Sequence, residues 1–284
     1  MANVTTEEFH YRVHWRTRGA FPGQHRSLSR GDGFEFRNNV PLLNGGDPRR
    51  YDARASLRDP LQRILVRVHE QRNSIPVVAL LDVSASMGFR GRAAKQDVMA
   101  EFVAALGFSA YRTGDSFSTI GCDGGIRDEL TQPLSRDKGA GQEMALRLRA
   151  CELKGASAEG LIAATRLVGS RRSLVFLVSD FHLPASLIES VLGRLARHAV
   201  VPVALVDSAE FAPVPGVWLV RVADVETGAQ RTVLMHPALR ERLRARFEER
   251  QAALTDLFAR HATTPLWIVD RFRADQVTRY FFGG

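Results

Sequence analysis

Three short apolar runs, each followed within two residues by an aspartate, constrain the fold of this chain more than any other feature. The runs occupy residues 77–81, 174–178 and 200–206, and the acids that follow them are Asp82, Asp180 and Asp207. Uninterrupted apolar runs of this length are typical of strands buried on both faces of a parallel sheet. The pattern therefore predicts buried strands whose carboxyl ends carry acidic side chains.

Segments with helical periodicity separate these runs. In residues 92–111, Ala94, Val98, Phe102 and Leu106 recur at the spacing of one buried helix face. Further helices are predicted at 142–150, 159–168, 184–198, 237–261 and 274–280, and further strands at 116–121, 217–222, 231–234 and 266–269. Strands that alternate with helices indicate an α/β fold, with a doubly wound and mostly parallel sheet.

The first 74 residues lack this alternation. They contain frequent glycines and prolines and no long helical period, which indicates strands and loops rather than an independent core. We expect residues 1–74 to form an extension packed on a main domain of residues 75–284. Residues 61–70 alternate apolar and charged side chains, which predicts an amphipathic strand at the edge of the main sheet.

The composition is that of an ordinary soluble globular protein, with 45% hydrophobic and 25% charged residues. No stretch approaches the roughly 18 apolar residues that cross a bilayer, and residues 1–20 do not resemble a signal peptide, so a cytoplasmic location is expected. Cys122 and Cys151 have no neighbouring ligands at zinc spacing, so incidental thiols are expected.

The charge leaves two kinds of partner open. The net charge is +8, and only three of the 39 basic residues are lysines. Because the arginines are scattered along the chain, a solvated or ion-paired surface is favoured over a nucleic-acid interface, although a basic nucleic-acid binder remains an alternative. The same diffuse field would attract an acidic protein surface.

Five oxygen-bearing side chains follow the predicted strands or precede a helix. They are Asp82, Ser84, Ser86, Ser157 and Asp180. Because the carboxyl ends of neighbouring parallel strands meet at one edge, these side chains are expected to converge there. Mg²⁺ suits such a set, since it prefers oxygen ligands and needs only one or two carboxylates. The alternative is that these residues only cap helices or turns.

The segment Asp82-Val83-Ser84-Ala85-Ser86 resembles the Asp-x-Ser-x-Ser motif of von Willebrand factor type A domains with a metal-ion-dependent adhesion site. Ser157 stands where that family usually has threonine, and Asp180 where it has its second aspartate. The resemblance implies a von Willebrand factor A-like domain in residues 75–284 and a divalent cation, most simply Mg²⁺, held by the five residues.

The wider chain resembles the bacterial domain-of-unknown-function 58 family through four motifs within residues 23–282. They are Gly46-Asp47 with Arg50 and Asp52 ahead of Ala55-Ser56-Leu57, then Asp82-Val83-Ser84-Ala85-Ser86-Met87, Leu177-Val178-Ser179-Asp180-Phe181, and Asp224-Val225-Glu226-Thr227-Gly228. The chain departs from the pattern at Ala53, where relatives often have tryptophan, and at Ala158, where they often carry an acid.

The resemblance implies a non-enzymatic adaptor that binds an acidic side chain of a partner through its metal. It further implies a MoxR-type AAA+ ATPase as partner, and a role in maturing client enzymes or inserting a cofactor or metal into them, as in methanol dehydrogenase-like systems. ATP would belong to the ATPase, since the chain contains no Gly-x-x-x-x-Gly-Lys-Ser/Thr string.

A Mg²⁺-dependent hydrolase using the same strand ends is the enzymatic alternative. Ser84 lacks the Gly-x-Ser-x-Gly surroundings of an activated serine nucleophile. His182 follows Asp180 closely, but a single loop histidine is more often a surface residue than a catalytic one. The residues alone thus favour binding over catalysis.

Overall fold

The computed structural model describes residues 7–15, 22–44, 47–155, 157–211, 219–223, 230–234 and 237–283. The strands in these ranges are β1 (Pro22–Pro41), β2 (Leu65–Asn73), β3 (Pro76–Asp82), β4 (Ser116–Cys122), β5 (Ile126–Ser135), β6 (Leu174–Ser179), β7 (Ala199–Val206), β8 (Leu219–Ala223), β9 (Gln230–Leu234) and β10 (Leu266–Val269). The α-helices are α1 (Ala53–Arg58), α2 (Lys95–Thr113), α3 (Ala140–Ala150), α4 (Gly160–Ala164), α5 (Ala185–Arg194), α6 (Pro237–Arg260) and α7 (Ala274–Phe282).

The chain divides into two compact units. One comprises Met1–Tyr11, Pro76–Arg112 and Ser116–Gly284, and the other Arg12–Ile75 and Thr113–Asp115. The packing of residues 1–74 on the main domain stays a prediction. Gly46, the predicted turn at 213–216 and the last family motif at 224–228 lie outside the described residues.

The larger unit contains a six-stranded sheet in the order β10-β7-β6-β3-β4-β5. All neighbouring strands are parallel except β5, which is antiparallel to β4. The predicted α/β fold with a mostly parallel sheet is therefore confirmed. Because β3 pairs with β6 from Val77 opposite Leu174 to Leu81 opposite Val178, both strands end at the same edge.

Side chains of β6 enter the cores on both faces of this sheet. Val175 and Leu177 belong to a buried cluster with residues of α4, α5 and α6. Phe176 points to the opposite face, because side chains alternate along a strand, and its ring contacts Phe102 of α2 and Phe281 of α7. Helices thus cover both faces, as expected for uninterrupted apolar strands.

The sequence analysis predicts no strand at the position of β5. Its residues are largely polar, and it contains Pro133. It pairs only with β4 and forms an edge of the sheet, where polar residues and proline are tolerated. An edge strand does not need the apolar run that marks a central strand.

In the smaller unit, β1 and β2 form a two-stranded antiparallel sheet. The predicted position of residues 61–70 at the edge of the main sheet is wrong, because β2 begins at Leu65 and pairs with β1 instead. Asp52 caps α1, since its Oδ1 accepts a hydrogen bond from the Ala55 N–H at 3.1 Å, and its Oδ2 pairs with Arg67 Nε at 2.8 Å.

Two predicted helices are shorter than their apolar patterns suggested. The segment predicted at 159–168 forms α4 only to Ala164 and continues as a 3₁₀ turn over Thr165–Val168. The helix predicted at 184–198 ends at Arg194.

None of the helices that the structure describes is long and apolar enough to cross a membrane. Both cysteines are free thiols.

We predict that Gly107→Ala destabilises the protein by about 1 to 3 kcal/mol through overpacking. A Cβ at Gly107 would lie 2.5 Å from the Cα of Gly141, so α2 and α3 would have to separate. Gly193→Ala in α5 is the matched control, because no atom beyond the local helix backbone lies within 4 Å of the added Cβ and the helix gains up to about 1 kcal/mol of propensity.

Chemical denaturation of both variants measures this difference. A stabilising effect of Gly107→Ala equal to that of Gly193→Ala would contradict the close approach of α2 and α3.

Candidate metal centre

The loop after β3 brings three of the five predicted ligands together. The Ser84 N–H donates to Asp82 Oδ1 at 3.0 Å, which turns the chain back over the end of the strand. A 3₁₀ turn over Ala85–Gly88 follows, and the hydroxyl oxygens of Ser84 and Ser86 lie 3.3 Å apart. Asp82 is fully buried and Ser84 nearly so, whereas Ser86 is partly exposed. The loop therefore presents a carboxylate and two hydroxyls at one place.

Ser179 connects this loop to the neighbouring strand. Since Leu81 pairs with Val178, Ser179 lies beside Asp82, and its hydroxyl donates to Asp82 Oδ2 at 2.6 Å. The same hydroxyl accepts a hydrogen bond from the Phe181 N–H at 2.8 Å. Sequence reasoning did not assign Ser179 a role. The available signal was a hydroxyl placed between an apolar run and an acid.

Asp180, the fourth predicted ligand, forms an ion pair in which its side chain is almost completely buried. Lys95 Nζ lies 2.8 Å from Asp180 Oδ2 and 2.5 Å from Glu210 Oε1. The His182 N–H donates to Asp180 Oδ1 at 3.0 Å, and the His182 ring lies 3.2 Å from Glu210. Lys95 and Glu210 were not predicted as site residues, because neither directly follows an apolar run and both meet Asp180 only through the tertiary fold.

The backbone at Phe181 keeps Asp180 facing this cluster. Phe181 has a positive φ of 53°, an unfavourable conformation for a bulky residue that surrounding contacts must maintain. Its buried ring packs edge-to-face on Phe258 at 5.0 Å, and its carbonyl accepts a hydrogen bond from Arg250. The turn after β6 is thus held both by the packing of the Phe181 ring and by the hydrogen bond to the Phe181 carbonyl.

The segment carrying Ser157 adjoins the β3 loop. The Ala85 N–H donates to the Gly155 carbonyl at 2.8 Å. Helix α4 begins at Gly160 and its N-cap residue is Glu159, so Ser157 precedes the helix by two further positions and does not cap it. Its hydroxyl accepts a long 3.5 Å hydrogen bond from the Glu159 N–H. Within the described residues, this hydroxyl makes no hydrogen bond to the other four predicted ligands.

Burial and neighbouring charges act differently on the two aspartates. Burial raises the pKa of Asp82, and the negative charge of Asp180 raises it further, against the hydrogen bonds from Ser179 and Ser84. Burial also opposes ionisation of Asp180, but the Lys95 ammonium acts together with His182 to outweigh it, so the pKa of Asp180 is lowered. Burial lowers the pKa of Lys95, but the carboxylates of Asp180 and Glu210 outweigh it, so the pKa of Lys95 is raised. Asp180 is therefore a carboxylate paired with an ammonium.

The chemistry of this donor set fits a hard divalent cation. Carboxylate and hydroxyl oxygens are the ligands Mg²⁺ prefers, and a positive ion would offset the mutual repulsion of Asp82 and Asp180. In the part of the chain that the structure describes, no group of three or more His, Cys, Asp or Glu is arranged to hold a metal. A metal at this edge would therefore depend on the serine hydroxyls.

Asp207, the acid after the third apolar run, has a structural role. Its buried carboxylate accepts hydrogen bonds from four backbone N–H groups, at 2.8 to 3.1 Å. The donors are Gly91, Arg92, Ala93 and Ala209. Burial opposes its charge, but these hydrogen bonds lower the pKa of Asp207. Asp207 thus fixes the loop that leads into α2 and Lys95.

A family model described as "Protein of unknown function DUF58" matches residues 42–255 of the chain. The chain belongs to the DUF58 family. The match includes all five predicted ligands, together with Lys95, Ser179 and Glu210. Among curated relatives, the chain is 39% identical over 97 residues to the "Uncharacterized protein in moxR 3'region" of Paracoccus denitrificans, which covers 34% of this chain and 92% of the relative.

Solved structures also match this DUF58 chain at low identity. BatB from Bacteroides thetaiotaomicron aligns at 12% identity with a TM-score of 0.41, covering 72% of this chain and 94% of BatB. The SpRpn10 VWA domain aligns at 9% identity with a TM-score of 0.40, covering 72% and 94% of the respective chains.

We predict that Asp207→Ala destabilises the protein by about 2 to 4 kcal/mol, because buried hydrogen bonds to a charged group are lost. Since the pKa of Asp207 is lower in the folded state, its contribution is fully present above its unfolded pKa of about 3.9 and is lost as the pH falls below that value. The stability difference between parent and variant should therefore shrink on acidification.

Urea unfolding of both proteins at a series of pH values from 7 downward measures this difference. Asp275→Ala is the control, because Asp275 is exposed and pairs with Arg279 on one helix face, so little change is expected. A constant difference between parent and Asp207→Ala down to the lowest pH would contradict the prediction.

Proposed function

We propose that this DUF58 protein is a non-enzymatic adaptor that binds an acidic side chain of a partner protein through a divalent cation, most simply Mg²⁺. The observation that carries the proposal is the arrangement of Asp82. Its carboxylate is oriented by the Ser84 N–H and the Ser179 hydroxyl, beside the paired hydroxyls of Ser84 and Ser86. Oriented oxygens at a strand edge suit a cation better than they suit a proton-transfer reaction.

The residues that would hold the ion are Asp82, Ser84, Ser86, Ser157 and Asp180. Bound there, the ion would supply positive charge for a carboxylate from outside the chain. Ser179 orients Asp82, and Lys95 with the His182 N–H orients Asp180. The chain's own contribution is therefore to fix the two carboxylates before a partner arrives.

An open groove beside these residues supports a protein as the ligand. The groove has a volume of about 770 Å³ and includes Ser157 and His182 in its lining. Ile162, Leu183 and Leu187 also line it, and all three pack partly buried against the core. A partner segment with apolar side chains and one carboxylate would match such a surface.

We propose a MoxR-type AAA+ ATPase as the partner. The support is the relative from Paracoccus denitrificans, whose name places it in a moxR 3' region. In this assignment ATP hydrolysis belongs to the ATPase, and the DUF58 protein connects it to a client enzyme during maturation or insertion of a cofactor or metal.

We predict that capture of a MoxR-type ATPase from the same organism by the immobilised chain requires Mg²⁺ and is lost with a chelator. Ser84→Ala and Asp180→Ala should each weaken capture by about 10- to 100-fold, because each removes a proposed ligand. Quantitative pulldown with purified proteins measures this, and a circular dichroism melt confirms that each variant is folded.

Ser135→Ala is the matched control for the loss of a serine hydroxyl. Ser135 pairs with Phe117 near the amino end of β4. It therefore lies at the end of the strands opposite to the predicted ligands. Ser135→Ala should bind as the parent does. Undiminished capture in chelator by the parent and by both ligand variants would contradict the proposal.

Two other results would favour the alternative functions. Phosphoester turnover that disappears in Asp82→Ala would favour a hydrolase, and nucleic-acid binding that does not depend on Asp82 would favour a basic nucleic-acid binder.

A further inference from the structure

Lys95 is a buried ammonium at an unusual place. It is the first residue of α2, where the helix dipole disfavours a positive charge. Its side chain is only 4% exposed, whereas Lys138 and Lys154, the other two lysines of the chain, are exposed. Burying a charge is costly unless it is closely paired. The position of Lys95 is therefore explained by its carboxylate partners rather than by the helix.

Those partners are Asp180 and Glu210. The ammonium lies 2.8 Å from Asp180 Oδ2 and 2.5 Å from Glu210 Oε1, and it also sits 5.7 Å from the centre of the Phe89 ring. Among the described residues, Lys95 is the only lysine or arginine within ion-pair distance of either carboxylate. The charge of Arg250 interacts with both carboxylates from a greater distance, and its guanidinium hydrogen-bonds to the Phe181 carbonyl.

Lys95 thus neutralises a carboxylate that the proposed site also needs. A divalent ion flanked by two unpaired aspartates would have its charge largely cancelled by the chain. When one aspartate is already paired with an ammonium, more of the ion's charge remains available to an external carboxylate. The ammonium also opposes entry of the ion, because like charges repel.

We propose that Lys95 is a positioning residue that acts as the resident counter-cation of the site, weakening the intrinsic binding of the divalent ion and strengthening the subsequent binding of a partner's carboxylate. This inference rests on the proposed function, because it concerns the same ion and the same partner. Lys95 and Glu210 would then set how strongly the ion-loaded site prefers a partner that supplies a carboxylate. Ion and partner then bind cooperatively, since each strengthens the other.

Lys95→Met tests the inference through two affinities that should move in opposite directions. The affinity for Mg²⁺ alone, measured by isothermal titration calorimetry on the full chain, should rise at least about ten-fold, because a nearby positive charge is removed. The affinity for the MoxR-type ATPase at saturating Mg²⁺ should fall at least about ten-fold, because less of the ion's charge remains uncompensated. Damage to the fold would lower both.

Two further variants make the test specific to charge. The double variant Lys95→Met with Glu210→Gln restores the charge balance, so its Mg²⁺ affinity should return to within about three-fold of the parent. Glu210→Gln alone keeps the ammonium and removes one carboxylate, so its Mg²⁺ affinity should fall. Glu210 is partly exposed and not among the proposed ligands, so this variant remains informative if Lys95→Met does not fold.

The outcomes separate this inference from the function on which it rests. If the parent binds no Mg²⁺, or binds it as well as Asp82→Asn does, the proposed metal site fails. If the parent binds Mg²⁺ through Asp82 but Lys95→Met leaves the Mg²⁺ affinity unchanged or lower in a folded protein, the role of Lys95 is overturned and the metal site stands. A higher affinity in Lys95→Met together with a lower one in Glu210→Gln supports the inference.

Discussion

The parallel pairing of β3 with β6 is the constraint on which the candidate site depends. It places Ser179 beside Asp82, so that one hydroxyl fixes the buried carboxylate at 2.6 Å and receives the backbone N–H of Phe181 at 2.8 Å. A shift of one residue in this register would exchange the faces of every side chain on the strand. Leucines and valines buried on both faces of β3 and β6 prevent that shift, so the packing of the core also determines the geometry of the site.

The apolar runs made the central part of the fold predictable from the sequence. Residues 77–81, 174–178 and 200–206 all lie in parallel strands of one sheet, because strands covered on both faces have no polar alternation. Strand β5 was not predictable in this way, since an edge strand tolerates its charges and Pro133. The length of α4 depends on local tightening into a 3₁₀ turn, which an apolar pattern does not reveal.

The residues of the β3 loop were the easiest part of the candidate site to predict, because they are close in sequence. Asp82, Ser84 and Ser86 form one loop, and the structure brings them together. Ser179 owes its role to the strand register, and Lys95 and Glu210 meet Asp180 only through the tertiary fold. The rarity of lysine in an arginine-rich chain was the available signal for Lys95, because a lysine ammonium is a compact point charge whereas a guanidinium is a planar fork.

Anomalous diffraction from crystals of the full chain grown with Mn²⁺ would show whether the edge formed by β3 and β6 holds a divalent cation. We expect a single strong peak about 2 Å from oxygens of Asp82, Ser84 and Ser86, where a hard cation would be ligated. The proposed metal site would be contradicted if well-diffracting crystals in millimolar Mn²⁺ showed no peak at this edge.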